Sequence, residues 1–309
     1  MMRKFALCLA ATAALTTTGC TTIGDFMGND SLTLDSEAAS NYAIFKHKNR
    51  HMIDTTSTTA KRIQAVFQRI VPYADKANNT GIPFSWEITV FRSDEMNAWA
   101  MPGGRMAFFT GLVETLDLSD DEIAAIVGHE MAHALEEHRK EKENQSLVSS
   151  LLVVGMAYAG VGAVSEIALA SDFGEKGYSR AKEKEADRIG LFLMAQAGFN
   201  PQAGISVWEK SMAYAEKQKQ LNGDKNKFFE KRDNRILIRP FAGLNKIVES
   251  LSSTHPADKE RIQAMKDLQP QVMPLYQAAL QGKAENFVVP TNVKNPVGER
   301  VKGVFGKNK

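Results

Sequence analysis

The residues best suited to chemistry are two histidines and a glutamate within five positions of one another, in the segment GHEMAH at 128–133. On a helix, residues four apart leave the same side, so the imidazoles of His129 and His133 can reach one metal ion. Neutral imidazole suits Zn²⁺, which prefers a tetrahedral shell. Glu130 can serve as a general base that takes a proton from a metal-activated water and passes it to a leaving amine.

The surrounding sequence predicts the helix that this spacing needs. Ser119 can cap its N-terminus, and Glu122, three residues later, completes a capping box. Ile123 and Val127 recur at helical spacing and give the helix a buried face. The alternative is a pair of surface histidines on an amphipathic helix, which is our interpretation of His138. A catalytic zinc also needs a third protein ligand, and that ligand separates the two alternatives.

A carboxylate for the third position lies fifty residues further along the chain. Glu183 and Asp187 share one helix face, whereas Glu185 points roughly the opposite way, which favours Glu183 as the ligand. Asp187 can then accept a hydrogen bond from the free N–H of a liganding histidine. A solvated run of alternating charge is the alternative for this segment. The metzincin pattern needs Gly and His at 136 and 139, and Glu136 and Arg139 exclude it.

These boxes resemble the gluzincin metallopeptidases of the CAAX prenyl protease and HtpX type, in particular their periplasmic lipoprotein branch, which is associated with quality control of envelope proteins. Two further segments agree with the family's order, NAWAMPGG at 97–104 and STHP at 253–256. The resemblance covers roughly residues 55–270. It implies an α+β fold, mainly helical and zincin-like with a small β-sheet.

The resemblance also implies a role for each site residue. One Zn²⁺ per chain would bind His129, His133 and Glu183, with Glu130 and Asp187 as catalytic partners. His255 would face the metal, where it would either stabilise the oxyanion or fill the open position as an inhibitory fourth ligand.

The N-terminus predicts export and lipid anchoring. Arg3 and Lys4 precede an apolar region at 5–15 that is too short for a permanent membrane span. The following Gly-Cys pair resembles a bacterial lipobox in which Cys20 is acylated, although Thr17 replaces the usual leucine. The alternative is an ordinary signal peptide with an accidental cysteine.

Composition narrows the location and the partners. The only other cysteine, Cys8, lies in the segment to be removed, so we expect no disulfide. Thr21 replaces the aspartate that would retain a lipoprotein at the inner membrane, so we expect an outer-membrane anchor facing the periplasm. The net charge of +2 gives no sign of a nucleic-acid surface.

The chain divides into a signal peptide at 1–19, a tether at 20–56, a metallopeptidase domain at 57–270 and a C-terminal tail at 271–309. Within the domain, the pattern predicts a helix ending before Pro72 and another running from Pro256 to about Leu268.

Two strands are predicted in the same domain, at 84–90 and 105–110. The stretch at 97–101 between them forms an ordinary hairpin or, as the resemblance favours, borders the metal and holds an extended substrate.

The apolar stretch at 147–164 has the length of a membrane span. A single span there would separate His133 from Glu183, so we interpret it as a segment near the site that touches the core, lipid or an unfolded client.

The function predicted is a zinc endopeptidase that cleaves misfolded or misassembled envelope proteins. A client-binding chaperone or assembly factor with a self-inhibited zinc site is the alternative. A permanent membrane enzyme is disfavoured.

Acylation at Cys20 gives the first testable prediction. Cys20→Ser, with the signal retained, should yield soluble or uncleaved protein without lipid, because the acylated thiol is gone. Metabolic labelling with palmitate, followed by membrane fractionation, measures this. Labelled lipid on the variant would contradict acylation at this residue.

Overall fold

Helices pack on both sides of the metal-box helix, next to a small sheet. The computed structural model describes residues 30–138, 164–230, 255 and 259–283. Those residues contain three strands, β1 (Glu87–Phe91), β2 (Ala98–Met101) and β3 (Arg105–Phe109), and these helices: α1 (Ser31–Lys48), α2 (Thr58–Ala77), α3 (Thr110–Leu116), α4 (Asp120–Leu135), α5 (Val164–Gln196), α6 (Ala203–Glu230) and α7 (Lys259–Leu280). The predicted α+β class, mainly helical with a small sheet, is confirmed.

The sheet has the order β1-β3-β2, with β3 in the centre. β1 runs parallel to β3, and β2 runs antiparallel to it, with Ala98 opposite Phe108. The stretch predicted between two strands is therefore itself an edge strand. A 3₁₀ turn at Pro102–Gly104 joins β2 to β3, and Gly103 adopts a φ of 77° that favours glycine.

Part of the segment predicted as a tether, 20–56, is helical, since α1 begins at residue 31 and packs on the sheet. Asp30 caps this helix through hydrogen bonds from the N–H groups of Leu32 and Thr33. The buried hydroxyl of Tyr42 donates to the carbonyl of Met106 and lies 2.8 Å from Thr89 Oγ1. Burial raises the pKa of Tyr42 to about 12, so the phenol keeps its proton. The ordered domain thus begins before the predicted boundary.

Two helices run further than the proline rule predicts. α2 continues past Pro72 to Ala77, and α7 continues past Pro270 and Pro274 to Leu280. An internal proline removes a helix hydrogen bond, but buried residues beyond it, such as Ala74 and Val272, keep the helix on the core. The tail predicted from 271 is therefore helical up to Leu280.

Several sequence predictions lie outside the described residues. They concern the signal peptide at 1–19, Cys20, the apolar stretch at 147–163, Pro256 and residues 284–309. Within the described part of the chain, none of the helices combines the length and apolar character needed to cross a bilayer.

Close contact between the backbones of α4 and α5 sets the geometry around the metal box. A Cβ added at Gly190 would lie 2.8 Å from the backbone nitrogen of His129, and one added at Gly128 would lie 2.8 Å from the carbonyl oxygen of Gly190. Such distances leave no room for a side chain. The two glycines therefore let the helix that contains Glu183 approach the helix that contains the histidines.

Gly190→Ala should separate these helices and lower stability by about 1–3 kcal/mol, the usual cost of overpacking. Gly204→Ala is the matched control, because its new Cβ would meet the flexible end of the Leu191 side chain. Thermal unfolding of the metal-free proteins compares the two. Equal melting temperatures for both variants would contradict the close-contact argument.

Candidate metal centre

α4 positions both histidines and the glutamate of the metal box. The predicted capping box is present: the Glu122 N–H donates to Ser119 Oγ, and the Ser119 N–H donates to Glu122 Oε2. Only 3% of His129 and 3% of Glu130 are exposed. The box therefore lies in the core, where an uncompensated charge is costly.

Four predicted side chains meet at one point. A ligand atom from each of His129, His133, Glu183 and His255 lies within 4.8 Å of the others. His129 Nε2 is 3.1 Å from His133 Nε2 and 3.2 Å from His255 Nδ1. Glu183 Oε2 lies 3.3 Å from His129 Nε2 and 3.1 Å from His255 Nδ1. The structure thus brings together residues from three separate parts of the chain.

This cluster fits a zinc ion. Ring nitrogens at these distances repel through their lone pairs unless a proton or a cation lies between them. Imidazole nitrogen and carboxylate oxygen are both groups that zinc binds. Burial lowers the pKa of His133 to about 3, which keeps this ring in the neutral form that binds metals. Burial alone would raise the pKa of Glu183, but the three histidines hold it well below its usual range.

His129 shows how strongly the cluster attracts positive charge. Burial opposes protonation of the ring, but the carboxylates of Asp187 and Glu183 outweigh burial and raise its pKa to about 9. Without a metal, His129 would therefore hold a proton, which shows that its surroundings stabilise a positive charge.

Asp187 lies behind His129, on the side away from the cluster. Its Oδ1 is 2.9 Å from His129 Nδ1, so the ring can donate there and keep Nε2 free as a ligand. Arg261 binds the same carboxylate with two contacts of 2.7 Å and reaches Glu183 Oε2 at 3.1 Å. Burial would raise the pKa of Asp187, but Arg261 and His129 lower it below its usual value. Both acids therefore remain ionised.

Glu130 lies between the cluster and β2, beside His255 and the backbone amide of Ala100. Burial raises the pKa of its carboxyl, although His255, His129 and the backbone amide of Ala100 act in the opposite direction. Its Oε1 is 3.3 Å from His255 Nε2. A carboxylate with a raised pKa accepts a proton more readily, which suits a general base.

Sequence reasoning missed three residues around this centre. Arg261 is 1% exposed and stacks over Trp208 at 4.2 Å, and Trp208 contacts the edge of His129 at 5.6 Å between ring centroids. A signal for Arg261 existed, because it occupies the apolar face that Met265 shares, and a buried charge there requires a partner.

His138 is the third missed residue. The interpretation of His138 as a surface histidine is wrong, since only 7% of the residue is exposed and its ring contacts His133. Glu185 stays outside the four-residue cluster, as its opposite helix face predicts, and lies beside His138 instead.

Comparisons with known proteins identify the family of this chain. The family model "Peptidase family M48" matches residues 57–269. Mitochondrial metalloendopeptidase OMA1 of Saccharomyces cerevisiae is 31% identical over 244 residues, which cover 76% of this chain and 63% of OMA1. Metalloprotease LoiP of Escherichia coli is 26% identical over 281 residues, covering 86% of this chain and 97% of LoiP.

A third relative is the beta-barrel assembly-enhancing protease of Escherichia coli, 28% identical over 164 residues that cover 50% of this chain and 32% of that protein. The matches span only 63%, 26% and 56% of three OMA1 relatives, so this chain corresponds to part of those proteins. The predicted metalloendopeptidase class is confirmed at the level of the family. The chain belongs to peptidase family M48.

Proposed function

We propose that this protein is a zinc-dependent endopeptidase of the bacterial cell envelope, of the CAAX prenyl protease and HtpX type, that cleaves misfolded or misassembled proteins. The observation that carries the proposal is the convergence of His129, His133 and Glu183 beside the buried acid Glu130. Zinc held by these three ligands would acidify the attacking water and polarise the scissile carbonyl.

Glu130 moves the proton in this proposal. Its raised pKa favours uptake of the proton from the attacking water, and the same carboxyl then donates that proton to the leaving amine. Asp187 holds the ring of His129 in one orientation, and Arg261 holds Asp187. Among the residues that the structure describes, the cluster consists of histidines and one glutamate, so the proposal includes no covalent acyl-enzyme.

The outer edge of β2, beside which the described part of the chain places no further strand, is the proposed substrate site. The Phe109 N–H donates to the Asn97 carbonyl, so in an antiparallel ladder residues 97, 99 and 101 pair with β3. The backbone groups of Ala98 and Ala100 then face the other way, and the Ala100 amide is close enough to lower the pKa of Glu130. An extended peptide that pairs with this edge would place a peptide bond beside the base. Extended, unfolded segments are the natural occupants of such an edge.

The envelope location and the periplasmic lipoprotein branch rest on the N-terminal sequence. A lipid on Cys20 would hold the enzyme at the outer membrane, facing the periplasm, where unfolded envelope proteins pass. The similarity to a beta-barrel assembly-enhancing protease supports misassembled envelope proteins as substrates.

A resting, self-inhibited state is part of the proposal. His255 Nδ1 lies among the ligand atoms, 3.2 Å from His129 Nε2, so this nitrogen can take the fourth position that a catalytic water needs. The same four-donor arrangement favours the second candidate function, a client-binding chaperone or assembly factor that seldom cuts. The two functions differ in whether loss of His255 releases proteolysis.

Glu130→Gln should abolish cleavage of an unfolded casein-like substrate while zinc stays bound, because Glu130 shuttles the proton and is not a ligand. Metal content and cleavage rate are measured on the same preparation. Glu209→Gln, an exposed change on α6, is the matched control and should cleave normally. Undiminished cleavage by Glu130→Gln would overturn the role of this residue.

His255→Ala should raise basal cleavage several-fold with zinc retained, because the fourth position opens to water. A fall of roughly 10²–10³-fold would instead assign His255 to oxyanion stabilisation. The rate on one peptide substrate, with zinc occupancy checked, decides between them. Adding Glu130→Gln must remove the extra activity, which shows that it arises at this centre. An unchanged rate with zinc fully bound would exclude both roles.

A further inference from the structure

A second set of hydrogen-bonding groups lies behind the metal box, on the side of His133. His133 Nδ1 is 2.8 Å from His138 Nδ1, and His138 Nε2 is 3.4 Å from Glu185 Oε2. The two histidine rings have centroids 4.9 Å apart and meet nearly edge-on. The three side chains therefore form a line that leads away from the ligand cluster.

The backbone is bent in a way that produces this line. In a continuous helix, His138 would follow His133 by five residues and would lie about 140° around the axis. α4 instead ends at Leu135, and Glu137 adopts a left-handed conformation with φ of 50°. A non-glycine residue in that region is uncommon. The bend returns the His138 ring to the face that carries His133.

Protons can be assigned along the line. His133 Nε2 points into the cluster, 3.1 Å from His129 Nε2, so as a ligand this nitrogen carries a lone pair and the proton is on Nδ1. Nδ1–H then donates to His138 Nδ1, which must be unprotonated. The proton of His138 is consequently on Nε2, from which it donates to Glu185. Each contact has one donor and one acceptor.

We propose that His138 is a positioning residue that fixes the tautomer and orientation of His133 as a zinc ligand, with Glu185 holding His138 in turn. The inference rests on the proposed zinc site and deepens it. A liganding histidine normally donates its other N–H to a carboxylate, a carbonyl or water, and Asp187 lies 2.9 Å from Nδ1 of His129 in such a position. For His133 the acceptor is instead the imidazole of His138, and the carboxylate of Glu185 contacts His138 rather than His133.

The same side chains do not resemble a second cation site. Ligand atoms of Glu136, His138 and Glu185 lie within 4.8 Å of one another. The ammonium of Lys182, however, is already 3.4 Å from Glu185 Oε2. The short contact of His138 with His133 also uses the nitrogen that faces the metal box.

The experiment compares His138→Leu with His138→Asn in the full-length chain. Leucine fills similar space without an acceptor, whereas the Oδ1 of asparagine can occupy the position of His138 Nδ1 and accept the same proton. His138→Leu should lower zinc affinity by about 10–100-fold, and His138→Asn should restore most of it. Zinc affinity is measured by competition with a chromophoric chelator, and the absorption spectrum of the cobalt-loaded protein reports the ligand geometry.

Melting temperatures of the metal-free variants separate positioning from packing. If His138→Leu fails to fold, Glu185→Leu tests the line from its far end, with Glu185→Gln as its acceptor-retaining control. Glu185→Leu should weaken zinc binding less than His138→Leu, and Glu185→Gln should change it little.

Three results would overturn the inference. They are zinc binding by His138→Leu as tight as in the unsubstituted chain, equal losses in the leucine and asparagine variants, and two zinc ions per chain of which one requires His138. Absence of zinc binding by the unsubstituted chain would be a different failure, that of the proposed function itself.

Discussion

Compensation of buried charge is the constraint on which the rest of this structure depends. Glu183 and Asp187 are 4% and 5% exposed, and an ionised acid in such surroundings needs positive partners. Arg261, on α7, supplies one positive charge to both acids. The imidazole cluster provides a site for a second positive charge. Three helices therefore have to meet at this point, because each contributes a group that another one must neutralise.

The backbone contact between Gly128 and Gly190 makes that meeting possible. If α4 and α5 were separated by ordinary side chains, the carboxylate of Glu183 would move away from the imidazoles. The second glycine lies seven residues after Glu183, about two turns along the same helix. This backbone contact thus sets the distance between the candidate metal ligands on the two helices.

The parts of the site that follow from helix geometry could be predicted from the sequence. The pairs His129 with His133 and Glu183 with Asp187 are four residues apart, and that spacing alone assigns each pair to one face. Arg261 and Trp208 could not be assigned in this way, since their positions depend on how α6 and α7 pack against α4. The position of the His138 ring depends on the left-handed backbone conformation of Glu137. Glutamate rarely adopts that conformation, so the sequence gives no sign of the bend.

The helices that differ from the sequence prediction also depend on how the folded chain packs. The prolines in α2 and α7 indicate helix ends locally, yet burial of the residues that follow them outweighs the loss of one hydrogen bond. The segment before residue 57 is polar on average, but Leu34, Ala38 and Tyr42 form a buried stripe four residues apart. A narrow stripe is easily hidden by average composition, and its partner surface, β3, exists only in the folded chain.

His255 contacts both the candidate metal ligands and the proposed base Glu130. Its Nδ1 faces the ligand atoms, and its Nε2 faces the carboxylate of Glu130 at 3.3 Å. In the proposed resting state, this ring would take a ligand position and would also occupy Glu130, the proposed base. Its departure would free both at once. A substrate strand on the β2 edge would reach Glu130 from the side of Ala100, so the substrate and His255 would compete for the same carboxylate. Such competition is a physical route by which an unfolded segment could activate the enzyme that cleaves it.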